Sequence, residues 1–324
     1  MLKDLIRKVN PEHIGLLTAA LRSPSAHNAQ PWKIKPLPGG HSYEIHYDHN
    51  DYLPEDPDDR DAYLTMGAFI ETLALEASNF GLKVDVDLKL ERSGDDLYIA
   101  EVLIEKAAPG SEVDPLSKFI SKRVTNRNPY SKEPLSLELE AELKKLGNIL
   151  IEPRLLKEVV TEASMKSWNN PRFVRDLYVW YRKDLTAPDG FTGPQMRFDI
   201  LDTLALRFAF WRGQLKSKFV EKLYSTRDVA MFIAAPKAAV LAANEMSPGS
   251  LLDAGRRLLR SWVAIAGAGY SCHPFSIAID EKSTALKVAE LTGVPVPVAL
   301  YRIGKATKQP YGSNRKKLED VLIN

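Results

Sequence analysis

The stretch SPSAHNAQPW, residues 23–32, combines short polar side chains, two prolines and a closing tryptophan within ten residues. It follows a helix predicted over 11–22 and precedes an alternating segment that is typical of a strand. A simple loop between a helix and a strand is one interpretation. The concentration of hydroxyl and amide groups, stiffened by Pro24 and Pro31, also fits a loop that holds something flat and polar.

Composition limits the classes of protein that the chain can belong to. Its 324 residues, 44% of them hydrophobic, suffice for one large or two modest domains. A net charge of +2 gives no reason to expect a nucleic-acid or anionic-membrane partner. The single cysteine, Cys272, excludes an internal disulfide and a multi-cysteine zinc site. The charged first residues do not resemble a signal peptide, and no apolar run reaches the ~20 residues of a membrane span, so we expect a soluble cytoplasmic protein.

The first part of the chain predicts two hairpins and a central helix. WKIKPL and YEIHYD flank the turn PGGHS, and VDVDLKL and DDLYIAEVLIE alternate around SGDD. Between the hairpins, Asp56 and Pro57 predict the cap and first turn of a long helix that ends at Gly81. Because this helix is apolar nearly all round, we expect it to lie centrally.

A second series of elements begins near residue 116. It contains an amphipathic helix (SLELEAELKKLG), strands at APKAAVLAA and VPVALYRIG, and an aromatic-rich helical block at about 155–225. Ser250, with Asp253 three residues later, predicts the cap of a helix that ends at Gly269.

The two long helices share a glycine spacing. Gly67 and Gly81 are 14 residues apart, and so are Gly255 and Gly269. This weak repeat suggests a duplicated unit, with residues 1–115 as the first copy and 116–324 as the second.

Basic residues cluster in two segments of the second half. KRVTNR places Arg123, Thr125 and Arg127 at alternate positions, which share one face of an extended segment. Two guanidinium groups and a hydroxyl on one face suit a phosphate. The tail SNRKKLED adds Arg315 and Lys316. Both segments also fit a solvated surface, but together they could neutralise a phosphate monoester, which carries about two negative charges.

Four segments carry a resemblance to a known family. SPSAHNAQPW resembles the Pro-Ser-Ser-x-Asn-x-Gln-Pro-Trp loop of nitroreductase-family flavoproteins, and KRVTNR is similar to that family's opening Arg-x-Ser-x-Arg/Lys segment. AGAGYSCHPFSI is similar to the stretch that delivers a backbone amide to the flavin ring, and SNRKKLEDVL to the closing segment that meets the flavin phosphate.

The order of these segments carries further implications. Ordinary family members are shorter chains that pair to form two flavin sites, whereas here the Ser/Asn loop appears only in the first half and the basic segments only in the second. The resemblance therefore implies an α+β, nitroreductase-like fold in which one chain forms an intrachain pseudo-dimer, with antiparallel-rich sheets and central helices. It implies one FMN per chain, held between the halves, and a monomer or weak homo-oligomer.

The resemblance assigns cofactor-binding residues and no catalytic side chain. Arg123, Thr125, Arg127 and Arg315 would meet the phosphate or the ribityl and pyrimidine end, and the loop would line the ring edge. The full cofactor-binding set is Pro24, Ser25, Asn28, Gln30, Arg123, Thr125, Arg127, Pro274, Phe275, Ser276, Arg315 and Lys316.

Departures from the family pattern keep alternatives open. Ser276 and Ile277 stand where Glu and Gly are common, and Ser313 replaces a basic residue for which Lys316 or Lys317 could substitute. The implied activity is hydride transfer from NAD(P)H through FMN to a nitro, quinone or other electrophilic small molecule. The alternative is an FMN storage or sequestration protein with little reductase activity, and a third is a flavin-free structural relic.

Other chemistry has weaker support in the sequence. His46 and His49 could suggest a metal with the neighbouring His41, Asp48 and Asp51, but no second cluster completes a ligand set, so we expect none. Cys272 fits a small packed thiol rather than a nucleophile. The aromatic block fits core and lid packing, and some of its rings could touch substrate.

Overall fold

The computed structural model describes residues 5–48, 56, 58–94, 96–204 and 218–324. It has the predicted α+β class, with two four-stranded antiparallel sheets and a pair of long helices packed against each other. Within the described ranges, no helix combines the length and apolar character that a membrane span requires.

The first half forms one sheet and two helices. The two predicted hairpins are present and pair side by side, because the second strand of each is hydrogen-bonded to the other. The elements are α1 (Pro11–Ala20), β1 (Trp32–Pro36), β2 (Ser42–Asp48), α2 (Arg60–Asn79), β3 (Leu82–Ser93) and β4 (Asp96–Lys106).

The second half forms the other sheet together with most of the helices. Its elements are α3 (Leu137–Lys145), β5 (Asn148–Ile151), α4 (Lys157–Asn169), α5 (Pro171–Trp180), β6 (Tyr181–Arg182), β7 (Phe191–Thr192), α6 (Gly193–Met196), α7 (Lys218–Ile233), β8 (Lys237–Ala242), α8 (Pro248–Gly267), β9 (Ser271–Pro274), α9 (Ile277–Asp280), α10 (Lys282–Thr292), β10 (Pro297–Gly304) and α11 (Leu318–Val321). The strand order of this sheet is β5-β8-β10-β9, and the aromatic-rich block adds helices between its first two strands.

Helices α2 and α8 approach closely through one glycine on each. A Cβ atom at Gly67 would lie 2.0 Å from the Leu252 carbonyl oxygen, and one at Gly255 would lie 2.2 Å from the Leu64 carbonyl oxygen. Only glycine permits this approach, so the two glycines of the predicted repeat meet at one helix crossing. Buried Glu71 adds ion pairs across it, to Arg256 at 2.7 Å and Arg260 at 2.6 Å.

The C-terminal segment returns to the first sheet. Leu322 forms a parallel bridge with Ile34, and the Ile323 N–H donates to the Ile34 carbonyl at 2.9 Å. Leu318 and Val321 are buried in the same core as the first sheet and the two central helices. One continuous core therefore joins the two halves of the chain.

Two predicted helix caps differ in detail from the structure. The prediction that Ser250 caps α8 is wrong: Ser247 is the cap, followed by Pro248, while the Ser250 hydroxyl accepts the amides of the preceding loop at Asn244 and Glu245. A proline at the first helical position fixes the start of the helix there. Asp56 lies four residues before α2 begins.

The Asp56 carboxylate still caps the first turn of α2, because it accepts the N–H groups of Asp61 and Ala62 at 3.0 and 2.9 Å. Pro57, which was predicted to start this helix, lies outside the described residues. So do His49, Asp51 and part of the aromatic block, residues 205–217.

The described part of the aromatic block packs onto the loop at 23–32. Trp168 stacks on Tyr224 with ring centroids 4.5 Å apart, and its indole N–H donates to Asp228 at 3.0 Å. These rings form a small core with Phe191 and with Ala29 of the loop. The insertion therefore lies against the segment that the sequence indicated as a binding loop.

Candidate functional site

A cavity of about 570 Å³ lies between the two halves of the chain. Its size falls within the range usual for small-molecule and cofactor sites. Its walls come from the loop after α1, the central helices, the insertion, and the segments 120–127, 274–280, 298–300 and 311–315. The loop and both basic segments therefore face one common space.

The loop is held in a conformation that non-glycine residues rarely adopt. His27, Asn28 and Gln30 have φ angles of 49°, 58° and 55°. Each such residue costs about 1–3 kcal/mol, so the surroundings must hold the loop in place. The Ser25 hydroxyl does so within the loop by accepting the Gln30 N–H at 3.0 Å.

Further hydrogen bonds tie the loop to the second half. The Gln30 side chain donates to the Pro188 carbonyl at 2.8 Å and accepts the Lys316 N–H at 2.8 Å. The Asn28 side chain donates to the Gly190 carbonyl at 3.1 Å. The two amide side chains thus join the loop to the insertion and to the C-terminal segment.

Four arginines line the cavity: Arg22, Arg123, Arg127 and Arg315. Among the described residues, none of the four forms an ion pair with a carboxylate. Arg315 donates instead to the Asn28 side-chain oxygen at 2.9 Å. The Nε atoms of Arg123 and Arg315 are buried without a hydrogen-bond partner.

Burial acts on the guanidinium groups of Arg123, Arg127 and Arg315. Burial lowers the pKa of Arg315 to about 9, and the charges of Arg123 and Arg22 contribute to the same lowering. Burial likewise lowers the pKa of Arg127 to about 10. Arginine side chains remain cations at neutral pH even so, and these four form no ion pair with a carboxylate of the described residues.

The central helices contribute apolar side chains to the cavity. Leu64 and Ala68 of α2 line it together with Leu258 and Trp262 of α8. The glycine contact between the helices sets the distance between the two helices. Apolar side chains and arginines in one cavity suit a ligand with a flat apolar part and an anionic part.

The cavity also has an acidic region. Arg60 pairs with Asp61 at 2.7 Å and with Asp280 of the second half. Burial, followed by the charge of Asp61, raises the pKa of Asp56 to about 7. Burial also raises the pKa of Asp280. This ion-pair group connects the start of α2 to the segment that carries Pro274 and Ser276.

Nine of the twelve predicted site residues line the cavity and three do not. The Gln30 side chain is fully buried and does not line the cavity. The Lys316 N–H donates to the Gln30 side chain, and Lys316 does not line the cavity either. The Phe275 side chain packs in a core of the second half, with its ring centroid 4.8 Å from that of Phe232. The lining residues are Pro24, Ser25, Asn28, Arg123, Thr125, Arg127, Pro274, Ser276 and Arg315.

The sequence prediction omitted several lining residues. His27 lies inside the quoted loop; its ring contacts Phe191 of the insertion at 5.3 Å, and burial lowers its pKa to about 4. The Phe191 ring and Gln195 belong to the glycine-rich segment TAPDGFTGPQ, a composition that indicates a loop but not its position. Trp262 lies in a segment whose pattern predicted a helix and did not indicate a binding site.

His46 is the histidine on β2 that the sequence analysis weighed as a metal ligand. His46 lies on β2 and its two ring nitrogens contact Asp96 at 2.8 Å and Glu44 at 3.0 Å. No group of three or more His, Cys, Asp or Glu suited to a metal occurs within the described ranges. Cys272 is buried, with 2% of its surface exposed.

Comparison with known proteins gives relatives over part of the chain. Two proteins of Mycobacterium tuberculosis, each named "Putative NAD(P)H nitroreductase" (Rv3131 of strain H37Rv and MT3217 of strain CDC 1551), are 25% identical to it over 173 residues. The match covers 51% of this chain and 49% of each relative, so it spans about half the length of the curated relatives. No protein-family model matches the chain.

Some solved structures are also similar to this chain. A "putative nitroreductase" from Anabaena variabilis has a TM-score of 0.49 at 10% identity, covering 94% of this chain and 91% of that one. The FMN-dependent nitroreductase NfnB from Mycobacterium smegmatis, solved with NADPH, has a TM-score of 0.35 at 14% identity, covering 59% and 86%.

Proposed function

We propose that this chain, which is a nitroreductase-like protein, binds one FMN between its halves and passes hydride from NAD(P)H to an electrophilic small molecule such as a nitro compound or quinone. The observation that carries the proposal is the cavity itself. It combines apolar side chains of the central helices with four arginines that form no ion pair with a carboxylate of the described residues.

The arginine cluster supports an anionic ligand on energetic grounds. A buried charge is costly unless it is paired, and a guanidinium does not escape that cost by losing its proton at neutral pH. The partnerless Nε atoms of Arg123 and Arg315 add unsatisfied donors. A phosphate monoester with about two negative charges would satisfy both requirements. The residues present therefore fit FMN.

The remaining lining residues have roles in holding and orienting the cofactor. Arg123, Arg315 and Thr125 would hold the phosphate end, and the strained loop with Ser25 and Asn28 would meet the polar ring edge. When bound, FMN supplies the hydride chemistry, while the protein sets orientation and access. No side chain is assigned as a general acid, and solvent supplies protons.

The proposal also treats the chain as an intrachain pseudo-dimer of units 1–115 and 116–324, with the insertion at about 155–225. The close approach at Gly67 and Gly255 supports two related helices at the centre. The first unit contributes the loop and the second contributes Arg123 and Arg315, so one chain contains one site. Such a protein would act as a monomer or weak homo-oligomer on small molecules in the cytoplasm, without nucleic-acid or membrane partners.

A second candidate function is FMN storage with little reductase activity. The observation that favours it is the packing of the insertion over the loop. Phe173, Phe191 and Gln195 of the insertion line the cavity, and the Gln195 side chain donates to the Gly312 carbonyl at 2.7 Å. A cover held in this way could restrict the entry of a nicotinamide.

The two candidates differ in one anaerobic experiment. Purified protein loaded with FMN is mixed with NADH or NADPH, and the flavin absorbance is followed. Prompt bleaching supports the oxidoreductase, and an unchanged spectrum over minutes supports storage. A protein that cannot be loaded with FMN at all would contradict both.

The arginine assignment has its own test. Arg123→Ala and Arg127→Ala should each weaken FMN binding by about ten- to a hundredfold, since hydrogen bonds to charged groups are worth about 1.5–3 kcal/mol. Fluorescence titration with FMN measures the affinity. Arg154→Ala is a matched control, because Arg154 is exposed and outside the cavity. Affinities equal to that of the control would refute the assignment.

A further inference from the structure

Arg302 on β10 is fully buried, with 0% of its surface exposed. Its guanidinium donates to the His273 Nδ1 atom at 3.1 Å, the Asn128 carbonyl at 3.0 Å and the Met231 carbonyl at 3.2 Å. The group also lies over the Tyr130 ring, 4.0 Å from its centroid. Within the described part of the chain, no carboxylate pairs with it.

These contacts connect Arg302 to two segments that line the cavity. Asn128 directly follows Arg127, and His273 directly precedes Pro274. The guanidinium thus lies behind the cavity-lining residues rather than among them, and it does not itself line the cavity.

The charge of Arg302 acts on groups close to the cavity. Burial is the main cause of the lowered pKa of Arg127, and the charge of Arg302 lowers that pKa further. The pKa of the buried His273 ring is lowered by burial and then by Arg302. Both Arg123 and Arg302 oppose the rise that burial causes in the pKa of Cys272. Arg302 therefore adds positive charge beside Arg127, which lines the cavity.

Such a charge is costly in the absence of an anion. A buried ion pair is rarely a source of stability, and an unpaired buried cation close to other cations is less favourable still. Hydrogen bonds to carbonyls offset part of this cost. The potential becomes favourable when a dianion enters the cavity, because Coulomb interactions are strong in a poorly solvated interior.

We propose that Arg302 is a specificity-determining residue whose charge, acting from behind Arg127, makes the cavity prefer a flavin that carries a phosphate over the same flavin without one. This inference rests on the proposed function, since it concerns the ligand of that site. It assigns to Arg302 a role that the lining residues do not share, because Arg302 acts without touching the ligand.

The test compares FMN with riboflavin, which has the same ring and no phosphate. The ratio of the two dissociation constants is measured by fluorescence titration for the wild type, Arg302→Gln and Arg302→Lys. Glutamine keeps a donor but removes the charge, whereas lysine keeps the charge and loses the planar fork. Arg257→Gln is the control, because Arg257 is a partly buried arginine that also donates to two carbonyls, away from the cavity.

The preference for FMN should fall about tenfold in Arg302→Gln and stay within about threefold of the wild type in Arg302→Lys and the control. A glutamine variant that loses affinity for both flavins equally, or retains the full preference, would overturn the proposal, since a purely structural role does not depend on the phosphate. If the glutamine variant does not fold, the lysine variant decides, and loss of its preference overturns the proposal.

Failure of the proposed function gives a different result. In that case the wild type binds neither FMN nor riboflavin. The effect of Arg302 is then measured with inorganic phosphate alone. Phosphate should raise the melting temperature of the wild type and of Arg302→Lys more than that of Arg302→Gln, and equal shifts would overturn the inference.

Discussion

The close approach of α2 and α8 makes Gly67→Ala a sharp test of the architecture. The new Cβ atom would lie 2.0 Å from the Leu252 carbonyl oxygen, whereas ordinary contacts begin at 3.4 Å, a shortfall of 1.4 Å. The obstructing atom belongs to the backbone of a 20-residue helix, so relief requires the helices to separate. That movement would loosen the wall of the cavity at Leu64 and Leu258.

The expected cost follows from two opposing effects. Overpacking a core costs about 1–3 kcal/mol and occasionally more, and a backbone obstacle belongs at or above the upper end of that range. Replacing glycine by alanine inside a helix stabilises the helix by at most about 1 kcal/mol, because alanine has the higher helix propensity. We therefore expect Gly67→Ala to lose about 2–3 kcal/mol of unfolding free energy, or about 5 °C in melting temperature. FMN retention should fall with it.

Thermal unfolding followed by circular dichroism measures the effect. Gly255→Ala should behave in the same way, because its Cβ atom would lie 2.2 Å from the Leu64 carbonyl oxygen. The double variant should lose less than the sum, since one separation relieves both contacts. Gly249→Ala in the same helix is the control, because its nearest neighbour is a side-chain atom at 4.0 Å. Gly67→Ala as stable as this control would refute the close approach.

Two further predictions concern buried titratable groups. The folded protein holds the pKa of His27 at about 4, below the 6.5 of an exposed histidine, so His27 favours folding above pH 6.5 and that contribution is lost as pH falls towards 4. We measure the free energy of unfolding by urea at a series of pH values between 6.5 and 4. Over this range His27→Gln should lose about 1–3 kcal/mol less than the wild type loses. If the two proteins lose the same amount, the low pKa assigned to His27 is wrong. Burial raises the pKa of Cys272 to about 12, so this thiol should resist a disulfide reagent at about pH 8 in the native protein and react once urea unfolds it; rapid native labelling would show the packing to be wrong.

The local patterns of the sequence predicted the hairpins and the long helices, but not every element; α10 was not predicted. Alternation predicted both hairpins of the first sheet, and the apolar helix ending at Gly81 corresponds to α2. The cap of α8 was misplaced by three residues, because Ser247 and Ser250 both precede a helical pattern and only the backbone path shows which hydroxyl meets the first turn. The expectation of a nitroreductase-like protein came from the resemblance of the four segments, and composition and periodicity did not provide it.

The sequence by itself predicted the class of the fold and nine of the residues that line the cavity, because short loop and basic segments carry their chemistry in adjacent positions. Only the tertiary structure decided which side chains line the cavity. It packs Phe275 into a hydrophobic core, buries Gln30 and brings the rings of His27 and Phe191 into contact. It also revealed Arg302, whose neighbours come from separate segments of the chain. Burial and charge depend on contacts between distant residues, and a linear pattern contains no record of them.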